Sequence, residues 1–240
     1  MKILAIESTV RTASAAIADE ETILAEYTIH HKITHSQSLL PMIDEICRMT
    51  EQGPGAFDAV AAAAGPGSFT GLRIGAATAK GLGMAWNVPL VAVPTLDAMA
   101  YTLWGCGSLV CPIMDARRAQ VYTALYRFDG SGRMERLTEA QAVPVTEILE
   151  QIRAIGGPVV FTGDGIPVFR DVIRAQLGGA ARFAPPHLSR QRAGAVAALG
   201  LAMLQRGETV SAADFAPVYL RVSQAERERA ERLKREEHEG

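Results

Sequence analysis

Short apolar blocks punctuate this chain, and between them apolar residues fall at three- and four-residue steps. Residues 2–7 predict a buried first strand and residues 13–18 a second. Residues 23–30 alternate apolar and polar positions and predict a third, reached through the polar turn Asp19-Glu20-Glu21. Leu39, Leu40, Ile43, Ile46 and Cys47 then recur with helical spacing. They predict a helix over 36–51, with Ser36 or Ser38 as its cap and Pro41 in its first turn or at a kink. A strand over 57–64, a helix over 71–86, a strand over 88–93 and a helix over 95–104 capped by Thr95 complete this part.

Residues 105–108 (Gly-Cys-Gly-Ser) read as a break, after which a second round begins. Strands are expected over 109–114, 120–128 and near 134–143, then a helix over 145–155 and a strand over 159–163. Helices over 167–177 and 192–205 follow. The order βββαβαβα is that of a ribonuclease-H-like unit, and the second half reads as a degenerate copy of the first. The fold class expected is therefore α/β, an actin-like (ASKHA) duplicated fold with lobes at 1–104 and 105–240. Residues 224–240 alternate Glu and Arg with almost nothing apolar, the pattern of a solvated helix or a frayed tail.

Composition narrows the function classes. The 240 residues are 48% hydrophobic and 21% charged with a net charge of -2, which describes an ordinary globular protein. That balance offers no broad nucleic-acid-binding face, while leaving room for a local basic patch. No apolar run approaches the ~18 residues of a membrane span. Glu7 interrupts the first apolar block too early for a signal peptide. The three cysteines, Cys47, Cys106 and Cys111, lack zinc-type spacing. These features together predict a cytoplasmic protein without a membrane contact.

Gly65-Pro66-Gly67-Ser68-Phe69-Thr70-Gly71-Leu72-Arg73-Ile74-Gly75 is the most informative stretch. A glycine-rich turn between strand and helix can aim backbone N–H groups at an anion, with Ser68 and Thr70 adding hydroxyls. It can equally let one backbone pack close against another. No lysine stands in the Walker position, so this is not a P-loop. Gly71, Gly75, Ala79 and Gly83 recur every four residues and share one helix face. Such a stripe implies a close helix contact, either with another molecule, completed by Leu39 and Ile43 of the preceding helix, or with the chain's own sheet.

Glu7-Ser8-Thr9 ends the first strand, where an acid could hold a magnesium ion, orient a water or cap a turn. Together with Gly65, Gly67 and Ser68 it would form a nucleotide site. Nothing in the chain selects a catalytic set: His30, His31 and His35 cluster on a strand end and a polar loop, and no metal site is expected. Asp115-Ala116-Arg117-Arg118 is a charged corner that could touch phosphate or RNA, or pair internally. Pro217–Arg221 reads as an apolar anchor for the tail.

Ile3-Leu4-Ala5-Ile6-Glu7-Ser8-Thr9, Ser38-Leu39-Leu40-Pro41, Gly65–Gly75, Asp115–Arg118 and Pro217–Arg221, in that order, resemble the TsaB (YeaZ) family of bacterial tRNA threonylcarbamoyladenosine biosynthesis proteins. The resemblance covers roughly residues 1–225. Glu7 stands where that family more often has Asp, and the charge is kept. It implies an actin-like, two-lobed fold. It implies a non-catalytic companion of the paralogue TsaD in placing N6-threonylcarbamoyladenosine at position 37 of tRNAs that read codons starting with A. A further partner, the ATPase TsaE, would join the complex, tRNA would be met indirectly, and the chain alone would form a homodimer. ATP or ADP would be shared with TsaD at an interface. TsaD carries a His-x-x-x-His metal motif where this chain has Thr95 and Met99, so the reaction centre is expected in the partner. The alternative is an actin-like ATPase or metallopeptidase acting alone, which would hold nucleotide through Glu7, the 65–71 turn and Gly163-Asp164-Gly165.

Overall fold

A computed structural model of the protein describes residues 1–221, so the expected charged segment at 224–240 lies outside the described residues. The opening meander is β1 (Lys2–Glu7), β2 (Thr12–Asp19) and β3 (Ile23–His30). It is followed by α1 (His35–Met49), β4 (Ala59–Gly65), α2 (Phe69–Trp86), β5 (Leu90–Pro94) and α3 (Thr95–Tyr101). The five strands form one sheet in the order β3-β2-β1-β4-β5, antiparallel through the meander and parallel at β1–β4–β5.

Alternation along β1 divides two cores. Leu4 and Ile6 face one side, where they pack with Leu39, Ile43 and Ala79 of α1 and α2. Ile3 and Ala5 face the other, with Val196 and Leu201 of a helix from the far end of the chain. Both faces are covered, which is why β4 is a nearly pure run of buried alanines: small side chains admit layers on both sides.

The second round gives β6 (Leu109–Asp115), β7 (Gln120–Thr123), β8 (Tyr126–Phe128), β9 (Met134–Arg136) and β10 (Gln141–Pro144). After these come α4 (Val145–Ile155), β11 (Val159–Thr162), α5 (Ile166–Leu177), β12 (Ala181–Phe183) and α6 (Ala193–Gln205). The order β10-β7-β6-β11-β12 repeats the order of the first sheet, with β6–β11–β12 parallel as β1–β4–β5 are. The duplicated actin-like architecture is thus visible in strand order. Two expected strands are each split. The 120–128 segment breaks at Ala124-Leu125, so that β7 pairs with β6 and β10 while β8 pairs with β6 and β9. The 134–143 segment likewise becomes β9 and β10.

The lobe boundary expected at 104/105 needs correction, because the chain returns. Helix α6 packs on the outer face of the first sheet, and its N-terminus is tied there. Ala193 N donates to Ser14 Oγ at 3.0 Å and Gly194 N to Glu26 Oε1 at 2.9 Å. Glu26 also pairs with Arg192, so one carboxylate serves both a guanidinium and the positive end of the helix. Phe215 is buried in the core beneath α1 and α2, and Lys80 Nζ donates to the Ala213 and Phe215 carbonyls, each at 3.0 Å. Among the described residues, the first lobe is therefore 1–104 plus 193–218. Thr95 does not cap α3 either: Pro94 occupies that position, and the Thr95 hydroxyl accepts from Gly65 N at 3.1 Å. Among the described residues, no helix is long and apolar enough to cross a membrane.

A Cβ on Gly200 of α6 would come within 2.9 Å of Ala61 Cβ on β4. Gly200→Val should therefore cost about 1–3 kcal/mol by overpacking and lower the melting temperature by roughly 2–12 °C. Gly81→Ala, where a Cβ would meet open space, should leave it unchanged or raise it. Thermal melts of both variants test the placement of α6, and an unchanged Gly200→Val melt would contradict it.

Candidate functional site

The two lobes face one another across a cleft of about 890 Å³ beside the ends of β1, β4, β6 and β11, where open α/β sheets present their ligands. Strand β1 ends beside it in Glu7, followed by Ser8 and Thr9; all three are buried, and Thr9 lines the cleft. Thr9 donates both its amide and its hydroxyl to Glu7 Oε1, each at 2.6 Å. Burial pushes the Glu7 carboxyl up to about 7 despite those two donors, and the charge of Asp164 adds to the effect. Asp164 sits in the turn Gly163-Asp164-Gly165, where Gly163 has a φ of +114° and packs against the Ile113 carbonyl. Gln191 Nε2 donates to Asp164 Oδ1 at 3.3 Å, while Gln191 Oε1 is buried without a partner. Burial raises the Asp164 carboxyl as well.

The glycine turn at 65–71 closes on the chain itself. Ser68 N donates to the Thr9 carbonyl at 2.6 Å, and Ser68 Oγ caps α2 by accepting from Gly71 N at 3.5 Å. A Cβ at Gly67 would lie 2.6 Å from Thr9. One at Gly65 would collide with the Val218 carbonyl, and Val218 N donates to Ala64 O at 2.7 Å. Glu7, Ser8, Thr9, Gly65, Gly67 and Ser68 are thus brought together as the nucleotide reading required. Yet Ser68 N and Gly65 N are consumed internally, and Val218 covers Gly65. The close approaches at Gly65, Gly67 and Ser68 account for these residues by packing of the chain on itself.

The small-residue stripe is corrected in the same way. Gly71 and Gly75 pack on the Ser8 carbonyl and hydroxyl, and a Cβ at Gly83 would lie 2.7 Å from Leu90 Cδ2. Gly71, Gly75, Ala79, Gly83, Leu39 and Ile43 are all buried within their own lobe and present nothing to a partner. What α1 and α2 do present is the opposite face. Leu40 is 53% and Met84 72% exposed, and Pro41, Asp44, Arg73, Ala77 and Gly81 are exposed beside them.

The Asp115–Arg118 corner is the turn between β6 and β7, on the second-lobe side of the cleft. Arg117, Arg118 and Ala119 have φ of 65°, 55° and 57°, three consecutive side-chain-bearing residues in the left-handed region. Each costs on the order of 1 kcal/mol. Asp115 Oδ1 accepts from Arg117 N at 2.9 Å, Gln120 N donates to the Arg117 carbonyl at 3.1 Å, and Arg221 Nη1 donates to the Ala116 carbonyl at 2.5 Å. The Pro217–Arg221 segment packs on the first lobe, with the Tyr219 ring tilted against Phe69 at a centroid distance of 4.9 Å, and Arg221 reaches the second lobe; the tail it was expected to dock lies outside the described residues.

The histidines serve local bonds. His30 Nδ1 lies 3.1 Å from Thr12 Oγ1, and burial, with Arg190 and Arg11 nearby, lowers its pKa. His35 Nε2 lies 2.5 Å from the Val10 carbonyl. No three His, Cys, Asp or Glu side chains among the described residues could hold a metal ion together. Thr95 and Met99 are packed core residues, Met99 against Gly163. Sequence reading missed Arg11, Lys32 and Arg190 on the cleft, which share no local motif and meet only through the fold.

Comparison with known proteins extends this picture. Residues 22–229 match the family model of TsaD, the tRNA N6-adenosine threonylcarbamoyltransferase. The tRNA threonylcarbamoyladenosine biosynthesis protein TsaB of Bacillus subtilis is 32% identical over 94% of this chain and 96% of its own. The Escherichia coli protein of the same name is 32% identical over 92% and 95%. A solved Pseudomonas aeruginosa structure, described as similar to the peptidase YeaZ, superposes with a TM-score of 0.77 at 27% identity over 92% of this chain and 99% of its own. With the duplicated sheet order, the glycine turn and near full-length identity all in agreement, the chain belongs to the TsaB family of tRNA threonylcarbamoyladenosine biosynthesis proteins.

Proposed function

We propose that this chain acts in the biosynthesis of N6-threonylcarbamoyladenosine on tRNA as a non-catalytic companion of a TsaD-type transferase. The observation that carries the reading is near full-length identity to two proteins named for that pathway. The transferase histidines implied by the family resemblance are replaced here by Thr95, which is bonded to Gly65 N, and Met99, packed on Gly163. Neither side chain is free to bind substrate. Glu7 supports the same reading: a carboxyl buried, held by Thr9 and pushed up to about 7 locks the end of β1. A nucleotide shared with TsaD would need contacts outside the self-filled 65–71 turn. The working compartment is the cytoplasm, where the tRNA is, and TsaE joins at the assembled complex.

The partner surface in this reading is the outward face of α1 and α2, centred on Leu40, Ala77, Gly81 and Met84. Two adjacent helices expose large apolar side chains there beside small ones, a shape that receives the helices of another chain. The same face would pair two copies when TsaD is absent.

Two outcomes test this reading. Leu40→Glu combined with Ala77→Glu should abolish co-purification with TsaD while shifting stability by no more than ~1 kcal/mol, since both positions are exposed. Undiminished complex formation would place the partner elsewhere. For Glu7, a folded value raised from 4.5 to about 7 means the native state holds the proton more tightly than the unfolded chain. The native state then loses stability as pH rises from about 4.5 through 7, by on the order of 3 kcal/mol. Glu7→Gln keeps an acceptor for Thr9 and should remove that loss, so the variant gains on the parent above pH 7 and matches it near pH 4.5. Urea unfolding at several pH values measures this. Equal pH dependence in both proteins would show that Glu7 is not the buried proton holder.

A further inference from the structure

The cleft between the lobes carries a concentration of positive charge that the docking reading does not use. Arg11 and Lys32 stand on the first-lobe lip, Arg117, Arg118 and Arg190 on the second, and Arg221 on the strand of chain that crosses between them. The whole chain has a net charge of -2, so this grouping is local. Arg11, Lys32, Arg118 and Arg190 make no ion pair with any described residue. Arg117 reaches Asp115 only at 3.9 Å. Arg117 and Arg118, with Ala119, are also held in the left-handed region, by Asp115 Oδ1 on one side and the Arg221–Ala116 bond on the other. A turn that spends backbone strain to present two exposed guanidinium groups, one weakly paired with Asp115 and one without an ion pair among the described residues, is arranged for an anion.

The anion is extended rather than small. Asp115 and Asp164 also line the cleft, so a phosphate pushed inward meets carboxylates. Of the amides at the start of α2, Ser68 N and Gly71 N are already bonded to Thr9 and Ser68. A strand laid across both lips would touch the cations and stay off the acids. Tyr219, 40% exposed and backed by Phe69, offers a ring on which a base can stack. We propose that this cationic rim binds the phosphodiester backbone of an RNA strand spanning both lobes. The choice of tRNA as that RNA rests on the pathway proposed above.

Fluorescence anisotropy of a labelled, unmodified tRNA transcript with the full chain alone, titrated from 50 to 200 mM KCl, tests this. Asn tolerates the left-handed region, so R117N/R118N preserves the turn, which circular dichroism and melting check. The double variant should bind roughly ten-fold more weakly at low salt. Its log–log salt slope should be shallower by roughly 1.5, two contacts at about 0.7–0.9 each. R11Q/K32Q on the opposite lip should act in the same direction, and R170Q/R174Q on α5, outside the cleft, should bind as the parent does. Equal binding by R117N/R118N, or an equal loss in R170Q/R174Q, would overturn the proposal. So would ATP binding with the same arginine dependence, which would make the rim a mononucleotide site. Absence of tRNA binding by the parent chain would also overturn it, while leaving TsaD co-purification, and hence the pathway reading, standing.

Discussion

A side chain at Gly71 would run into the Ser8 carbonyl, and one at Gly75 into the Ser8 hydroxyl. Helix α2 lies that close to the end of β1 because glycine permits it, and several other features depend on that approach. Ser8 Oγ donates to the Gly71 carbonyl at 3.0 Å, and Ser68 N reaches the Thr9 carbonyl. Thr9 in turn is fixed to Glu7 by two bonds, so strand, turn and helix form one rigid corner. With the small residues turned inward, the larger Leu40 and Met84 are left on the outside of the helix pair. One stripe thus settles both how the lobe packs and which side of the helix pair is left exposed.

The corner also receives the end of the described chain. Val218 fits against Gly65, Tyr219 against Phe69, and Arg221 continues to the Ala116 carbonyl of the other lobe. The residues that would have cradled a phosphate are instead the seat for this crossing. The cations of the cleft surround it, so the route that closes the glycine turn also helps to build the basic rim. A fold whose relatives include transferases keeps its cleft here while its packing fills the turn within it.

Much of the architecture was legible in hydrophobic pattern. The βββαβα order, the helix over 71–86 and the duplication follow from period-2 and period-3.6 signals, because buried faces impose them. The return of α6 to the first sheet was not legible: its residues are apolar on nearly every side, and such a helix does not say which layer receives it. The short strands β8, β9 and β12 were blurred or missed because three residues carry no periodic signal. In the site, the glycine turn announced close packing without naming the partner, since a stripe of small residues reads alike whether it meets a sheet or another protein. Arg11, Lys32, Arg190 and Arg221 are scattered over the sequence and meet only when the two lobes do.

The central claim is that the inward stripe builds the lobe while the outward face of α1 and α2 receives the partner. Hydrogen–deuterium exchange of this chain with and without TsaD tests it most directly. The account predicts added protection confined to residues 35–49 and 69–86, with α4 and α5 unchanged. Protection centred on α4 and α5, with α1 and α2 unaffected, would contradict it.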